Sequence, residues 1–278
     1  DWNIAAPVME SHQKNPGGNA RIAETMFRYF RFPLDFPNFV YVSQVQQALA
    51  IKTAVTHWRS LKPHCQGTLY WQLNDTWPVC SWASLDHGGN WKLLHHMAAR
   101  FYAPVLVTAV PKDGGIELWA VNDNPEAVTI TVTANAAAMD GTTRTLGQAS
   151  ITVSPDAAVT VLTVAPDALR SDEVLAFVWS GDAQGGDVHA PKPWKAYDLL
   201  PSGLTADIKR DDGVWKLTLN VKALAPFVAV ESEVPGRFST NAVTLFPGTP
   251  ATIAFTPEDP SAVPVFTLRD LHSATYGG

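Results

Sequence analysis

The sequence predicts a multidomain protein in which an α/β portion is followed by an all-β portion. In the first hundred residues, apolar side chains recur at helical spacing on either side of one short apolar run. From Val105 onward, apolar and polar residues alternate with period two in short runs separated by turn-forming residues. The chain has 278 residues, which leaves room for two or three domains. We therefore expect the architecture to change near Pro104.

Three helices are predicted before that change. Asn19 is expected to cap the first helix, which ends at Pro33. A capping-box pattern predicts that the second helix begins at Ser43 and ends before Pro63. The third is predicted to begin near Trp91. The apolar residues of the three stripes, which we interpret as core, are Ile22, Met26, Tyr29, Phe30, Val45, Leu49, Val55, Leu94, Ala98 and Phe101.

A buried strand is predicted between the second and third helices, at Gly67-Thr-Leu-Tyr-Trp-Gln-Leu73. A short apolar run bounded by turn formers is typical of a strand in a parallel sheet that helices cover on both faces. A parallel barrel needs eight strands and about 250 residues. A single strand would also leave its backbone N–H and C=O groups without partners. Either the segment pairs with material outside this sequence, or the first hundred residues are the end of a larger domain.

Two β-sandwiches are predicted after Pro104. Period-two runs occur at 116–121, 128–133, 151–153, 159–164 and 174–179. The stretch from Gly185 to Trp194, which contains two prolines, is interpreted as a linker. A hairpin turn at Asp211-Asp212-Gly213 is expected to open the second sandwich by joining 205–209 to 214–219. The predicted domains are thus 1–104, 105–190 and 191–278.

Composition excludes several classes of protein. The net charge is −6, and no long basic run occurs, which argues against a nucleic-acid partner. No apolar run approaches the roughly 20 residues that span a bilayer, so we predict a soluble protein without a membrane partner. Cys65 and Cys80 form no zinc pattern, and the adjacent His95 and His96 diverge on a helix, so no metal site is predicted. Two thiols are compatible with either the bacterial periplasm or the cytoplasm.

The densest run of aromatic and polar residues is Tyr70–Pro78, which carries Trp71, Asn74, Asp75 and Trp77. In a (β/α)8 barrel, the active site forms at the carboxyl ends of the strands. Sugar rings present apolar C–H faces and vicinal hydroxyls, so a sugar site combines aromatic faces with amides and carboxylates. We therefore predict a carbohydrate site here. Two other interpretations stay open: Trp77 holds a long loop in place, and Trp71 faces the helical layer instead of the pocket.

Four blocks of sequence stand in a fixed order around this run. They are Gly67-Thr-Leu-Tyr-Trp-Gln-Leu-Asn-Asp-Thr-Trp-Pro78, Ser81-Trp-Ala-Ser-Leu-Asp86, Gly88-Gly-Asn-Trp-Lys-Leu-Leu-His95 and Ala99-Arg-Phe-Tyr-Ala-Pro104. This ordered set closely resembles the end of the catalytic barrel in the β-mannosidases of glycoside hydrolase family 2. The resemblance extends upstream to His12–Asn19 and downstream to Lys195–Leu200 and Gly236–Ala242, so it covers essentially the whole chain.

The resemblance implies a C-terminal portion of such an enzyme, with the last units of a partial (β/α)8 barrel followed by two immunoglobulin-like β-sandwiches. It implies retaining exo-hydrolysis of terminal non-reducing β-D-mannosyl residues of manno-oligosaccharides, without a cofactor. It also implies that Trp71 walls the subsite for the terminal mannose, with Asn74, Asp75 and Trp77 at the mouth. His12 and Gln13 match a family loop near the cleft.

A retaining glycosidase needs two carboxylates, one as acid/base and one as nucleophile. The family's motifs for these two glutamates do not occur, and the two glutamates before residue 105, Glu10 and Glu24, lack the required neighbours. No catalytic residue is therefore predicted in this chain, and we expect an N-terminal remainder of the same enzyme to be its partner. The alternative is a non-catalytic carbohydrate-binding or structural module.

Overall fold

The structure is a computed structural model that describes residues 3–277. Its helices are α1 (Pro7–Ser11), α2 (Gly18–Tyr29), α3 (Phe36–Ser60), α4 (Leu93–Phe101) and α5 (Leu271–Thr275), with a short 3-10 helix at Trp194–Ala196. Within the described residues, internal contacts divide the chain into two compact units. The first unit takes in 3–49, 70–97 and 193–277, and the second takes in 50–69 and 98–192. None of the helices within residues 3–277 has both the length and the apolar character needed to cross a bilayer.

The helices begin at different residues from those predicted. Helix α2 starts at Gly18 with Gly17 in the left-handed region, and the Asn19 side chain instead donates to the Ile4 carbonyl at 2.7 Å. The prediction that Asn19 caps this helix is therefore wrong. Its amide is used to hold the chain that precedes the helix.

Helix α3 begins at Phe36, seven residues before the predicted Ser43. The Asp35 carboxylate accepts the Asn38 N–H at 2.8 Å, which is how an N-cap residue satisfies the first free donors of a helix. Ser43 lies inside the helix and its hydroxyl bonds back to the Val40 carbonyl at 2.8 Å. The Ser43 prediction is wrong because an earlier acidic residue supplies the cap.

Helix α4 begins at Leu93, two residues after the predicted Trp91. The Gln44 side chain accepts the Leu93 N–H at 3.0 Å, so a residue of α3 caps α4. Sequence spacing alone does not reveal a cap that comes from a distant residue.

The predicted strand at 67–73 is not a strand in the described residues. The segment makes three backbone hydrogen bonds: from Gln72 to the Trp82 carbonyl (3.4 Å), from Ser84 to the Gln72 carbonyl (3.0 Å) and from Leu85 to the Leu73 carbonyl (2.8 Å). These bonds do not form a strand ladder. The predicted parallel strand was wrong for the chain by itself, because a strand requires neighbours and residues 3–277 supply no parallel ladder to this segment.

The second unit contains a seven-stranded antiparallel β-sandwich. Its strands are β1 (Val105–Lys112), β2 (Gly115–Asn122), β3 (Val128–Ala137), β4 (Thr143–Val153), β5 (Ala157–Val164), β6 (Val174–Gly181) and β7 (Gly185–His189). The sheets have the orders β4-β3-β6-β7 and β1-β2-β5. Alternate residues such as Leu118, Ile130, Val132 and Phe177 form the core between them, as the period-two pattern predicts.

The predicted linker at Gly185–Trp194 is wrong in its first half, because Gly185–His189 forms β7 and pairs with β6. A Cβ at residue 185 would overlap the Trp179 indole, so glycine is required at this position in a strand. The glycines here allow close packing between neighbouring strands. Because glycines are also typical of loops, the sequence pattern did not distinguish this strand from a linker.

The first unit contains a second seven-stranded antiparallel sandwich. Its strands are β8 (Thr205–Asp211), β9 (Val214–Asn220), β10 (Ala225–Ser232), β11 (Gly236–Phe238), β12 (Val243–Leu245), β13 (Ala251–Pro257) and β14 (Phe266–Arg269). The sheets have the orders β11-β13-β9-β8 and β12-β10-β14. The predicted hairpin is present: Asp212 and Gly213 both have positive φ between β8 and β9, as a tight two-residue turn demands.

Helix α3 is bonded to this second sandwich within the first unit. The buried Tyr41 hydroxyl donates to the Phe227 carbonyl at 2.8 Å, at a bulge of β10 where Phe227 has positive φ. Arg269 donates to the Asn38 side chain at 2.9 Å. The sandwich and the amino-terminal half of α3 therefore share one compact unit.

Candidate functional site

Trp71 is the most exposed tryptophan of the predicted site, with 73% of its surface accessible. The residues after it are held through their backbone, since Gln72 and Leu73 carbonyls accept hydrogen bonds from Ser84 and Leu85. The indole thus stands on an anchored segment and offers a flat apolar surface. Such a surface suits the C–H face of a sugar ring.

Asn74 and Asp75 follow Trp71 but face different surroundings. Asn74 is exposed, whereas Asp75 is buried. The Asp75 carboxylate accepts the Ser81 hydroxyl at 2.7 Å and the Gln72 amide at 3.3 Å, and Lys92 Nζ lies 3.6 Å away. The Asp75 carboxylate therefore anchors the loop, while the exposed Asn74 amide makes a long hydrogen bond to the Asp75 carbonyl at 3.5 Å.

Trp77 is brought together with the segment that begins at His12. The Trp77 and His12 rings lie 5.3 Å apart between centroids, and the His12 imidazole forms a hydrogen bond with the Pro78 carbonyl. The Cys80 N–H donates to the His12 carbonyl at 2.8 Å, and the Lys14 N–H donates to the Cys80 carbonyl at 3.1 Å. Burial raises the pKa of the Cys80 thiol, so it is a protonated side chain beside the loop. The two segments that the resemblance assigns to a cleft are thus neighbours.

The structure adds Ser84 and His95 to this region. Ser84 is fully buried, and its hydroxyl lies 2.9 Å from the Tyr70 hydroxyl and 3.0 Å from His95 Nδ1. From the sequence, His95 is considered only as a metal ligand and Ser84 receives no role. The spacing of Ser81 and Ser84 within the Ser-Trp-Ala-Ser block was the available signal, since both hydroxyls reach back to the Trp71–Asp75 segment.

The two glutamates before residue 105 lie at the surface. Glu10 and Glu24 are both exposed, and Glu24 pairs with Arg28 one turn later on α2. This is the setting of ordinary surface side chains. Their positions on the surface therefore give no sign of an acid and nucleophile pair.

A cleft in the first unit lies apart from these residues. It has a volume of about 1260 Å³, and its lining includes residues 88–91 and parts of strands β10, β11 and β13 of the second sandwich. Among the residues that line it are Tyr41, Gln44, Asn90, Trp91, Glu233 and Arg237. None of the four predicted site residues lines this cleft.

Comparison with known proteins places this geometry in context. Residues 199–274 match the Ig-fold domain family Ig_mannosidase. The mouse β-mannosidase is 31% identical over 269 residues, which cover 87% of this chain and 31% of the mouse protein. The chain thus spans about a third of the length of the curated relatives it matches.

Two solved structures share the fold over nearly the whole chain. A β-D-mannosidase from Dictyoglomus thermophilum superposes with a TM-score of 0.86 at 23% identity, covering 97% of this chain and 34% of that one. An exo-chitosanase from Amycolatopsis orientalis superposes with a TM-score of 0.75 at 18% identity, covering 97% of this chain and 38% of that one. The likeness to two enzymes with different names shows the fold and leaves the sugar to be argued from residues.

Proposed function

The chain corresponds over most of its length to a C-terminal portion of the β-mannosidases, and from this premise we propose that it is part of a retaining exo-β-mannosidase. The complete enzyme would hydrolyse terminal non-reducing β-D-mannosyl residues of manno-oligosaccharides. The observation that carries this proposal is the match to the mouse enzyme over 87% of the chain. The chain would supply one wall of the mannose pocket.

The proposed architecture has three parts. Residues 1–104 would be the last units of a (β/α)8 barrel, and 105–190 and 191–278 would be two immunoglobulin-like domains. The two seven-stranded sandwiches support the second and third parts. The likeness in fold to the Dictyoglomus thermophilum enzyme over 97% of this chain supports the first part.

Trp71 would stack against the terminal mannose, with Asn74 and Trp77 at the mouth of the pocket. The exposure of Trp71 and Asn74 supports this assignment. Asp75 would contribute by fixing the loop, because its carboxylate is already bonded to Ser81 and lies beside Lys92. The acid/base and nucleophile glutamates would come from the rest of the enzyme.

Hydrolysis of an aryl β-mannoside tests the proposal. The full-length protein that carries this chain should hydrolyse the mannoside with retention of configuration, whereas the purified chain alone should not. An aryl β-glucosaminide serves as the matched substrate. Turnover by the chain alone would show that it holds its own carboxylate pair. Turnover of only the glucosaminide would show that mannose is not the sugar that the enzyme hydrolyses.

In the full-length protein, Trp71→Ala should lower kcat/KM for the aryl mannoside about 100-fold, because the stacking face for the sugar is lost. Trp58→Ala, which changes another exposed tryptophan on helix α3, is the control and should leave kcat/KM unchanged. Equal effects of the two substitutions would contradict the assignment of Trp71 to the mannose pocket.

The alternative function is a non-catalytic carbohydrate-binding or structural module. The exposed surface positions of Glu10 and Glu24 favour it. Titration calorimetry of the chain with mannobiose separates the two: binding together with an inactive full-length protein would support the module. An active full-length protein would exclude it.

A further inference from the structure

We propose that Arg237, in edge strand β11 of the C-terminal sandwich, is a positioning residue for the sugar-pocket wall and acts through Trp91, His95 and Ser84. The proposal rests on the proposed function, since the task it assigns to these residues is to hold Trp71 in place. It gives the C-terminal sandwich a part in substrate binding without any contact between the sandwich and the sugar.

The Ser84 side chain and backbone bracket Trp71 from both sides. Its hydroxyl lies 2.9 Å from the Tyr70 hydroxyl and 3.2 Å from the Leu73 carbonyl, and its N–H donates to the Gln72 carbonyl at 3.0 Å. Residues 3–277 supply no strand ladder to 67–73, so within these residues the Ser84 bonds hold the segment around Trp71. A displacement of Ser84 would therefore move the residues on both sides of Trp71.

Counting protons assigns a role to His95. A serine hydroxyl has one proton to donate and two lone pairs to accept with. Ser84 donates its proton to the Leu73 carbonyl and accepts from Tyr70, so the remaining lone pair faces His95 Nδ1 at 3.0 Å. All three contacts are satisfied when His95 carries its proton on Nδ1 and donates to Ser84.

His95 is in turn held by Trp91, and Trp91 by Arg237. The His95 and Trp91 rings meet edge to face with centroids 4.5 Å apart. The Arg237 guanidinium lies 5.0 Å from the centre of the Trp91 ring, within cation–π range. Burial and the nearby Arg237 charge both lower the pKa of His95, which keeps the imidazole neutral.

Backbone hydrogen bonds connect the same elements. The Lys92 N–H donates to the Ser84 carbonyl at 3.0 Å, and Leu85 forms an isolated antiparallel bridge with Trp91. A shift of Trp91 is therefore passed to Ser84 through the main chain as well as through His95. The contacts form a continuous path from Arg237 to the backbone around Trp71.

Arg237→Met in the full-length protein tests the proposal. Arg237 is exposed, so the substitution should not prevent folding. We expect kcat/KM for the aryl mannoside to fall about tenfold, mainly through KM, because the pocket wall is less well placed. Arg210→Met is the matched control: Arg210 lies over the Trp215 ring at 5.5 Å on the same sandwich but contacts no residue of the path.

Amide hydrogen exchange measures how firmly Ser84 and Leu85 hold the segment around Trp71. The Ser84 and Leu85 amides, which donate to the Gln72 and Leu73 carbonyls, should exchange faster in Arg237→Met and in Ser84→Ala than in Arg210→Met. The double variant Arg237→Met/Ser84→Ala should lose no more kcat/KM than Ser84→Ala alone. Unchanged exchange in Arg237→Met, or fully multiplicative losses in the double variant, would overturn the proposal. A full-length protein without mannosidase activity would defeat the proposed function, and the exchange rates would then still decide the positioning role.

Discussion

At the scale of single residues, neighbouring side chains of one short run have opposite environments. Trp71 points outward with most of its surface accessible, whereas Asp75 points inward and is bonded to Ser81. A run with this composition predicts a sugar site, but composition does not say which polar group faces the ligand. Asp75 faces inward because Ser81 and Lys92, which lie outside the run, give its buried carboxylate partners.

Asp75→Ala should lower the free energy of unfolding by about 2 kcal/mol, because Ser81 and Lys92 lose their buried acceptor. Denaturant unfolding followed by tryptophan fluorescence measures this change. Asp207→Ala, which removes an exposed partner of Lys209 in the same unit, is the control and should have little effect. Equal losses from the two substitutions would contradict a special role for the Asp75 contacts.

His95 should titrate below the ordinary histidine pKa of 6.5, because burial and Arg237 both disfavour its charged form. The unfolded chain takes up this proton at higher pH than the folded chain. The contribution of His95 to stability is therefore fully present above the ordinary pKa and is lost as the pH falls below it. NMR titration of the imidazole should show the lowered pKa, and Arg237→Met should raise it while Arg210→Met leaves it unchanged. A His95 pKa at or above the ordinary value would contradict this.

At the scale of elements, the sequence predicted the sandwiches better than the helix ends. Period two in runs such as 128–133 reflects burial of one strand face, and that local signal survives in the structure. The starts of α3 and α4 depend on which residue supplies a cap, and Gln44 caps α4 from 49 residues away. The segment 67–73 has the composition of a strand, but ladder partners come from outside a segment, so composition alone could not establish it.

Helix α3 provides an element-scale prediction. Asp35→Ala should lower the free energy of unfolding by about 1 kcal/mol, because the Asn38 N–H loses its cap. Ser43→Ala should have almost no effect, since its hydroxyl bonds back within the helix. Thermal unfolding of the two variants decides between the caps, and a larger loss in Ser43→Ala would restore Ser43 as the start of the helix.

At the scale of the whole molecule, each compact unit has its own network of contacts. In the second unit, buried Arg59 donates to the Ala103 carbonyl and to Asp123, both at 2.8 Å, and it also bonds the Phe101 carbonyl at the end of α4. Lys62 shares the Asp123 carboxylate at 2.8 Å. Arg59 therefore connects α3, the end of α4 and the loop after β2.

Arg59→Met should lower the free energy of unfolding by about 3 kcal/mol, because two carbonyls lose their donor and Asp123 keeps only Lys62 of its two cations. Arg144→Met is the control in the same unit, since Arg144 is half exposed where it pairs with Glu173. Calorimetric unfolding measures both variants. A loss no greater than that of the control would show that the buried cation is not needed.

The exposed apolar surface around Trp71 has a consequence for handling the protein. Trp71, Leu73, Trp77 and Trp82 all leave more than a third of their surface to solvent in the first unit. Exposed apolar side chains of this kind favour self-association and aggregation. The isolated chain should therefore form larger particles as its concentration or the salt concentration rises. The apolar side chains proposed to contact a sugar thus also promote association between copies of the isolated chain.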